Sequence, residues 1–127
     1  QAENVVAAID ARMNEVYFSQ VKRKKVWSEL GEFFQWNPVI EEQVCQPEKV
    51  LEQLSDLTAH RVGTGWAAYP QFKDSSLEGS DIILPSAQYI LDLALTDYAQ
   101  NKVISALEIE PVYLRNEVTW KKLPGRE

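Results

Sequence analysis

Three strand-like stretches precede a helix and a fourth strand in this chain, and that order leaves few folds open. Val5-Val6-Ala7-Ala8-Ile9 is a short apolar run closing on the carboxylate of Asp10, the pattern of a buried strand. Arg12-Met13-Asn14 reads as a turn. Glu15–Arg23 is β-branched and aromatic enough, through Val16, Tyr17, Phe18 and Val21, for a second strand. Val39–Gln46 supplies a third, with Pro38 marking its start and Pro47 its end. Val26–Asn37, holding Trp27, Phe33, Phe34 and Trp36, reads as an elaborated connection that in part extends the hairpin.

Pro47 then fits a first helical position, and Val50, Leu51, Leu54 and Leu57 recur on one face. His60–Gly65 is a short strand running into the Gly63-Thr64-Gly65 turn. A strand that follows a meander through a helix returns by a crossover, which sets it parallel to one of the first three. Trp66–Phe72 forms at most a brief helical turn before Pro70 interrupts it; Asp74–Gly79 is a loop and Asp81–Leu84 a very short strand. Ser86 is placed to cap a helix reaching about Asn101, in which Ala87, Ile90, Leu91, Ala94, Leu95 and Tyr98 follow the helical period. Beyond Val103 the chain reads as extended, and Pro111 and Pro124 exclude a long final helix. The expected architecture is α/β: a mixed sheet of a three-strand meander plus a parallel strand, flanked by helices.

A chain of 127 residues suits one domain. No apolar stretch is long enough to span a bilayer, so no membrane role is expected. A single cysteine, Cys45, and a single histidine, His60, leave neither an internal disulfide framework nor a Cys/His zinc cluster. That usage fits a reducing compartment, and a cytoplasmic location is expected. The net charge of −6 is unevenly placed: from Val26 to His60 seven acids face Lys49 alone. Such a surface repels a phosphate backbone, so direct nucleic-acid binding is not expected. The basic run Lys22-Arg23-Lys24-Lys25 reads as a solvated hairpin end. The chain opens without Met and without a signal-peptide layout, and it reads as a piece of something longer.

Two places carry chemistry-bearing residues. Asp10, with Arg12, stands at the end of the first strand, where open α/β sheets face their ligand crevices. A phosphate-cradling hairpin there would need glycine, yet Asp10-Ala11-Arg12-Met13-Asn14-Glu15 has none, so Asp10 is expected to order the turn. Gly63-Thr64-Gly65 either lets backbone amides meet a nucleotide or lets the chain turn sharply, while Trp66 and its neighbours read as core. Glu41 and Glu42, adjacent in a strand, point to opposite faces. No serine lies in a nucleophile elbow, and Cys45 reads as a small buried hydrophobe. No catalytic residue, cofactor or metal ligand is expected.

Ala8-Ile9-Asp10-Ala11-Arg12-Met13 with Glu15-Val16-Tyr17, then Val62-Gly63-Thr64-Gly65-Trp66, then Leu84-Pro85, and above all Glu110-Pro111-Val112-Tyr113-Leu114-Arg115 leading to Trp120-Lys121-Lys122-Leu123-Pro124-Gly125, resemble the C-terminal half of the bacterial TsaB (YeaZ) family. The resemblance implies one actin-like, ribonuclease-H-like half over residues 1–107 and an extended tail over 108–127, with the family's N-terminal half absent. It implies a non-catalytic scaffold that works with TsaD and TsaE to add threonylcarbamoyl to the tRNA adenosine following the anticodon, pairing with TsaD or with itself. Asp10, Arg12, Gly63, Thr64 and Gly65 would then line a degenerate nucleotide cleft. The alternative reading, carried by Asp10 and the Gly63–Gly65 turn, is a nucleotide-dependent phosphotransferase half-domain of the actin and hexokinase type. The tail, with as many acids as bases, reads as a strap anchored by Tyr113, Leu114, Val118 and Trp120. Tyr113, Arg115, Trp120, Lys121 and Lys122 are its candidate partner surface, large aromatics beside cations being a common hot-spot composition.

Overall fold

The structure, a computed structural model, describes residues 2–54 and 58–115. Strands β1 (Asn4–Asp10), β2 (Val16–Ser28) and β3 (Gly31–Cys45) form the expected antiparallel meander. Helix α1 (Pro47–Gln53) crosses over to β4 (His60–Val62), which pairs parallel to β1 with Val5 opposite His60 and Ala7 opposite Val62. The two-residue β5 (Glu78–Gly79) adds to β4, also parallel, giving the sheet order β3-β2-β1-β4-β5. Helix α2 (Gly65–Ala68) and a 3-10 turn (Pro70–Phe72) follow β4, and helix α3 (Ala87–Ala99) follows β5.

Strand alternation decides where the core lies. Val6 and Ala8 of β1 and Val16 and Phe18 of β2 point to one face, where they meet Val50 of α1, Trp66 of α2, Phe72 and Leu77. Within α1 only Pro47 and Val50 are buried; Leu54 packs at the edge of the core, Leu51 is exposed, and Leu57 lies outside the described residues. Buried Gln20 is satisfied by donating from Nε2 to Asn4 Oδ1 at 2.9 Å, as a polar side chain under a sheet requires.

Four expectations are corrected. The stretch 26–37 is no separate connection: β2 and β3 run as one ribbon to a tight turn at Glu29-Leu30, well beyond the end of β1 at Asn4 opposite Lys22. Pro38 therefore lies inside β3 instead of starting it. It is tolerated because β3 is an edge strand and Pro38 sits where the register shifts, between the pairs Gln20–Ile40 and Val21–Pro38. Residues 81–84 form no strand; the fifth strand is Glu78–Gly79, and Ile82 contributes a carbonyl that accepts from Gly63 N–H at 3.0 Å. Ser86 occupies the N-cap position of α3 without a side-chain capping bond.

Helix α3 forms where its period places it, but its apolar row does not enter the core. Ile90, Leu91, Leu95 and Tyr98 are exposed, with Leu91 at 63%, and Thr96 alone in the helix is buried. The helix lies along the β2–β3 ribbon, where the Thr96 hydroxyl donates to the Phe34 carbonyl at 3.0 Å. Between α3 and the second face of the sheet an apolar cleft of about 760 Å³ opens, lined by Val5, Val21, Trp36, Val62, Tyr89 and Leu93 among others.

Gly63 has φ +101°, and a Cβ there would stand 2.4 Å from the Ala8 carbonyl oxygen; Gly31, at φ +118°, has open space around it. Gly63→Ala is expected to destabilise by about 3 kcal/mol or more, because a backbone clash adds to the strain of left-handed φ. Gly31→Ala carries the strain alone, about 1–3 kcal/mol. Denaturation midpoints of the two variants measure the difference, and equal losses would contradict this packing.

Candidate functional site

The C-terminal edge of β1 brings the two sequence candidates together. Asp10 N–H donates to Thr64 Oγ1 at 3.1 Å, so the turn after β1 and the turn after β4 form one site. The parallel pairing of β1 and β4 places both turns at the same edge, the position where α/β sheets commonly bind ligands.

The first turn is left-handed without glycine. Arg12, Met13 and Asn14 have φ of +60°, +55° and +59°, a run that sterics disfavour for L-residues. Ala11 N–H donates to the Glu15 carbonyl and Glu15 N–H to the Arg12 carbonyl, each at 3.0 Å. Asp10 orders this turn, as expected: its Oδ1 accepts from Arg12 N–H at 2.9 Å and from the Tyr69 hydroxyl at 2.8 Å. The Arg12 amide, and then the Tyr69 hydroxyl, hold the Asp10 carboxyl below the usual aspartate range. Burial pushes the Tyr69 hydroxyl up, and its bond to Asp10 raises it further.

On the other side of the turn lies Arg115. Its Nη1 donates to the Ala11 carbonyl at 2.9 Å, and its Nη2 reaches Glu15 Oε1 at 3.1 Å and the Arg12 carbonyl at 3.4 Å. Its side chain is only 14% exposed, so the guanidinium of this candidate partner residue is directed inward. Tyr113, by contrast, stands exposed beside it. Trp120, Lys121 and Lys122, with Val118, lie outside the described residues.

The second turn uses its glycines for close approach. A Cβ at Gly65 would meet the Ala8 carbonyl oxygen at 2.9 Å, as one at Gly63 would at 2.4 Å. The Gly63 amide is engaged by Ile82 and the Thr64 hydroxyl by Asp10. Trp66 packs in the core, as expected, and its indole N–H donates to the Val62 carbonyl at 3.0 Å. His60 pairs across the strands with Glu78, Nδ1 to Oε2 at 3.4 Å. Burial, and then the Glu15 charge, push the Cys45 thiol up, away from nucleophile behaviour. Among the described residues no group of three or more metal-ligating side chains converges.

The sequence carries no sign of Tyr69 or Glu15 at this site, nor of the contacts that Arg115 makes with the turn. Tyr69 read as part of an apolar stretch, and nothing local marks its hydroxyl as the partner of a carboxylate 59 residues away.

A mixed sheet with this strand order and this pair of turns at the end of a parallel β1/β4 pair is half of an actin-like protein. The sequence comparisons narrow the class. No protein-family model matches the chain. It is 70% identical over all 127 residues to the tRNA threonylcarbamoyladenosine biosynthesis protein TsaB of Haemophilus influenzae, covering 54% of that protein. Against TsaB of Escherichia coli the identity is 41% over 99% of the chain, again 54% of the relative. YeaZ from Pseudomonas aeruginosa superimposes with a TM-score of 0.71 at 31% identity, over 88% of this chain and 50% of that one. A second crystal structure from Pseudomonas aeruginosa, of a protein described as similar to the peptidase YeaZ, gives 0.71 at 30% identity over 90% and 50%. The chain is similar along its whole length to TsaB (YeaZ) proteins and spans about half the length of the curated relatives it matches.

The bond from Tyr69 to Asp10 has a titration signature. Because the folded carboxyl is held below its unfolded value, Asp10 contributes stability above the unfolded pKa and loses it as pH falls through the folded one. Tyr69→Phe is expected to raise the Asp10 pKa toward the ordinary value, read by carboxyl NMR titration. Asp10→Asn is expected to flatten the acid limb of the stability profile, and an unchanged limb would contradict the assignment.

Proposed function

We propose that this chain serves tRNA threonylcarbamoyladenosine biosynthesis as a non-catalytic scaffold, acting in the cytoplasm with TsaD and TsaE. The observation that carries the reading is the 70% identity to Haemophilus influenzae TsaB along the entire chain. Three features support the scaffold role. Asp10 is engaged by the turn it orders, by Tyr69 and by the amide of Arg12. The Cys45 thiol is held away from its reactive form. The apolar side chains exposed along α3 suit contact with other protein surface, since exposed apolar patches of this kind mark interaction sites. The acidic balance of the chain leaves tRNA contact to its partners.

The phosphotransferase reading asks more of the same residues. A phosphate cradle needs free amides and room for the backbone to approach. Here the Gly63 amide is bonded to Ile82, and Arg12, Met13 and Asn14 all carry side chains at the turn.

Deleting the gene for this chain is expected to remove threonylcarbamoyladenosine from tRNAs that read ANN codons, measured by nucleoside mass spectrometry. Re-expression of the Asp10→Asn form should restore it, because the amide retains an oxygen acceptor for Arg12 and Tyr69. Normal modification in a clean deletion would overturn the assignment. A folded Asp10→Asn protein that fails to restore it would favour the phosphotransferase.

A further inference from the structure

We infer that Arg115 is a conformational latch, whose docking on the turn after β1 holds that turn left-handed and ties its state to the position of the segment 112–115. The inference stands apart from the role in tRNA modification and rests on the contacts alone.

The run of three positive-φ residues without glycine needs support from outside itself. A left-handed turn points the successive carbonyls of Ala11 and Arg12 to one side, and the guanidinium meets both while pairing with Glu15. Only a planar fork of donors reaches all three acceptors at once, which a lysine ammonium on a single stem does not. The contact joins residues 104, 103 and 100 positions apart in sequence, so it does not follow from local chain geometry. The Tyr17 ring lies beneath, with its centroid 5.9 Å from the guanidinium carbon. Asp10 and Tyr69 hold the opposite side of the turn. When Arg115 leaves, that side and the turn's own two backbone bonds are left to oppose the strain, and the turn opens around the exposed Arg12 and Met13.

Arg12 makes the opening measurable, since trypsin cuts after arginine only in a segment that extends into its cleft. Native-state digestion of the full chain, with peptides identified by mass spectrometry, compares wild type with Arg115→Ala, Arg115→Lys and Glu15→Gln. Exchange of the Ala11 and Glu15 amides is followed in parallel. Arg115→Ala is expected to accelerate cleavage after Arg12, and exchange at both amides, by about tenfold or more. Cleavage after the exposed Lys73 and the denaturation midpoint serve as references for global opening and should shift far less. Arg115→Lys should resemble Arg115→Ala, and Glu15→Gln, which keeps the two carbonyl bonds, should fall between. Unchanged cleavage after Arg12, or acceleration after Arg12 and Lys73 by the same factor, would overturn the latch. If Arg115→Ala does not fold, Arg115→Lys and Glu15→Gln decide by the same criteria.

Discussion

Gly63 and Gly65 approach the carbonyl of Ala8 so closely that neither position has room for a Cβ, and the site is arranged around that approach. It sets the end of β4 against β1, which lets Thr64 accept from the Asp10 amide and seats Trp66 over the core face of the sheet. Displacing β4 by the width of a methyl group would separate the two turns. It would also weaken the short parallel pairing, only three residues long, that holds β4 in place. Sharp turning and close packing account for both glycines, and the amide at Gly63 is used within the fold.

Much of this was legible in the sequence because local patterns carried it. The apolar run ending at Asp10, the helix opening at Pro47 and the need for a crossover give the meander and the parallel β4. Asp10 as the organiser of a glycine-free turn was legible for the same reason: its acceptor bonds to the amide two residues on. What escaped lay in tertiary context. Pro38 looks like a strand boundary until β3 is known to be an edge strand with a register shift there. The helical period of α3 says which residues share a face, and not whether anything covers that face. Arg115 reads as part of a candidate partner surface with Tyr113, yet the groups it bonds to stand about a hundred residues earlier.

The polar groups at the edge of β1 are largely used within the fold. The edge of β1 is a common ligand position in α/β sheets, but here side chains stand at the turn, Asp10 is bonded to Tyr69, and the Arg115 guanidinium takes up the Ala11 carbonyl and the Glu15 carboxylate. Satisfied polar groups give rigidity and little affinity for a polar ligand. The exposed apolar row of α3 is the complementary feature, a surface suited to burial against protein.

At the edge of β1 the Asp10 carboxylate is used by the turn it orders and by Tyr69, which leaves that edge a poor nucleotide site. Titration calorimetry of the full chain with magnesium ATP tests it most directly. No saturable heat is expected at millimolar nucleotide, and no difference between wild type and the Asp10→Asn form. Saturable binding of one nucleotide per chain, weakened by Asp10→Asn in a protein that remains folded, would contradict it.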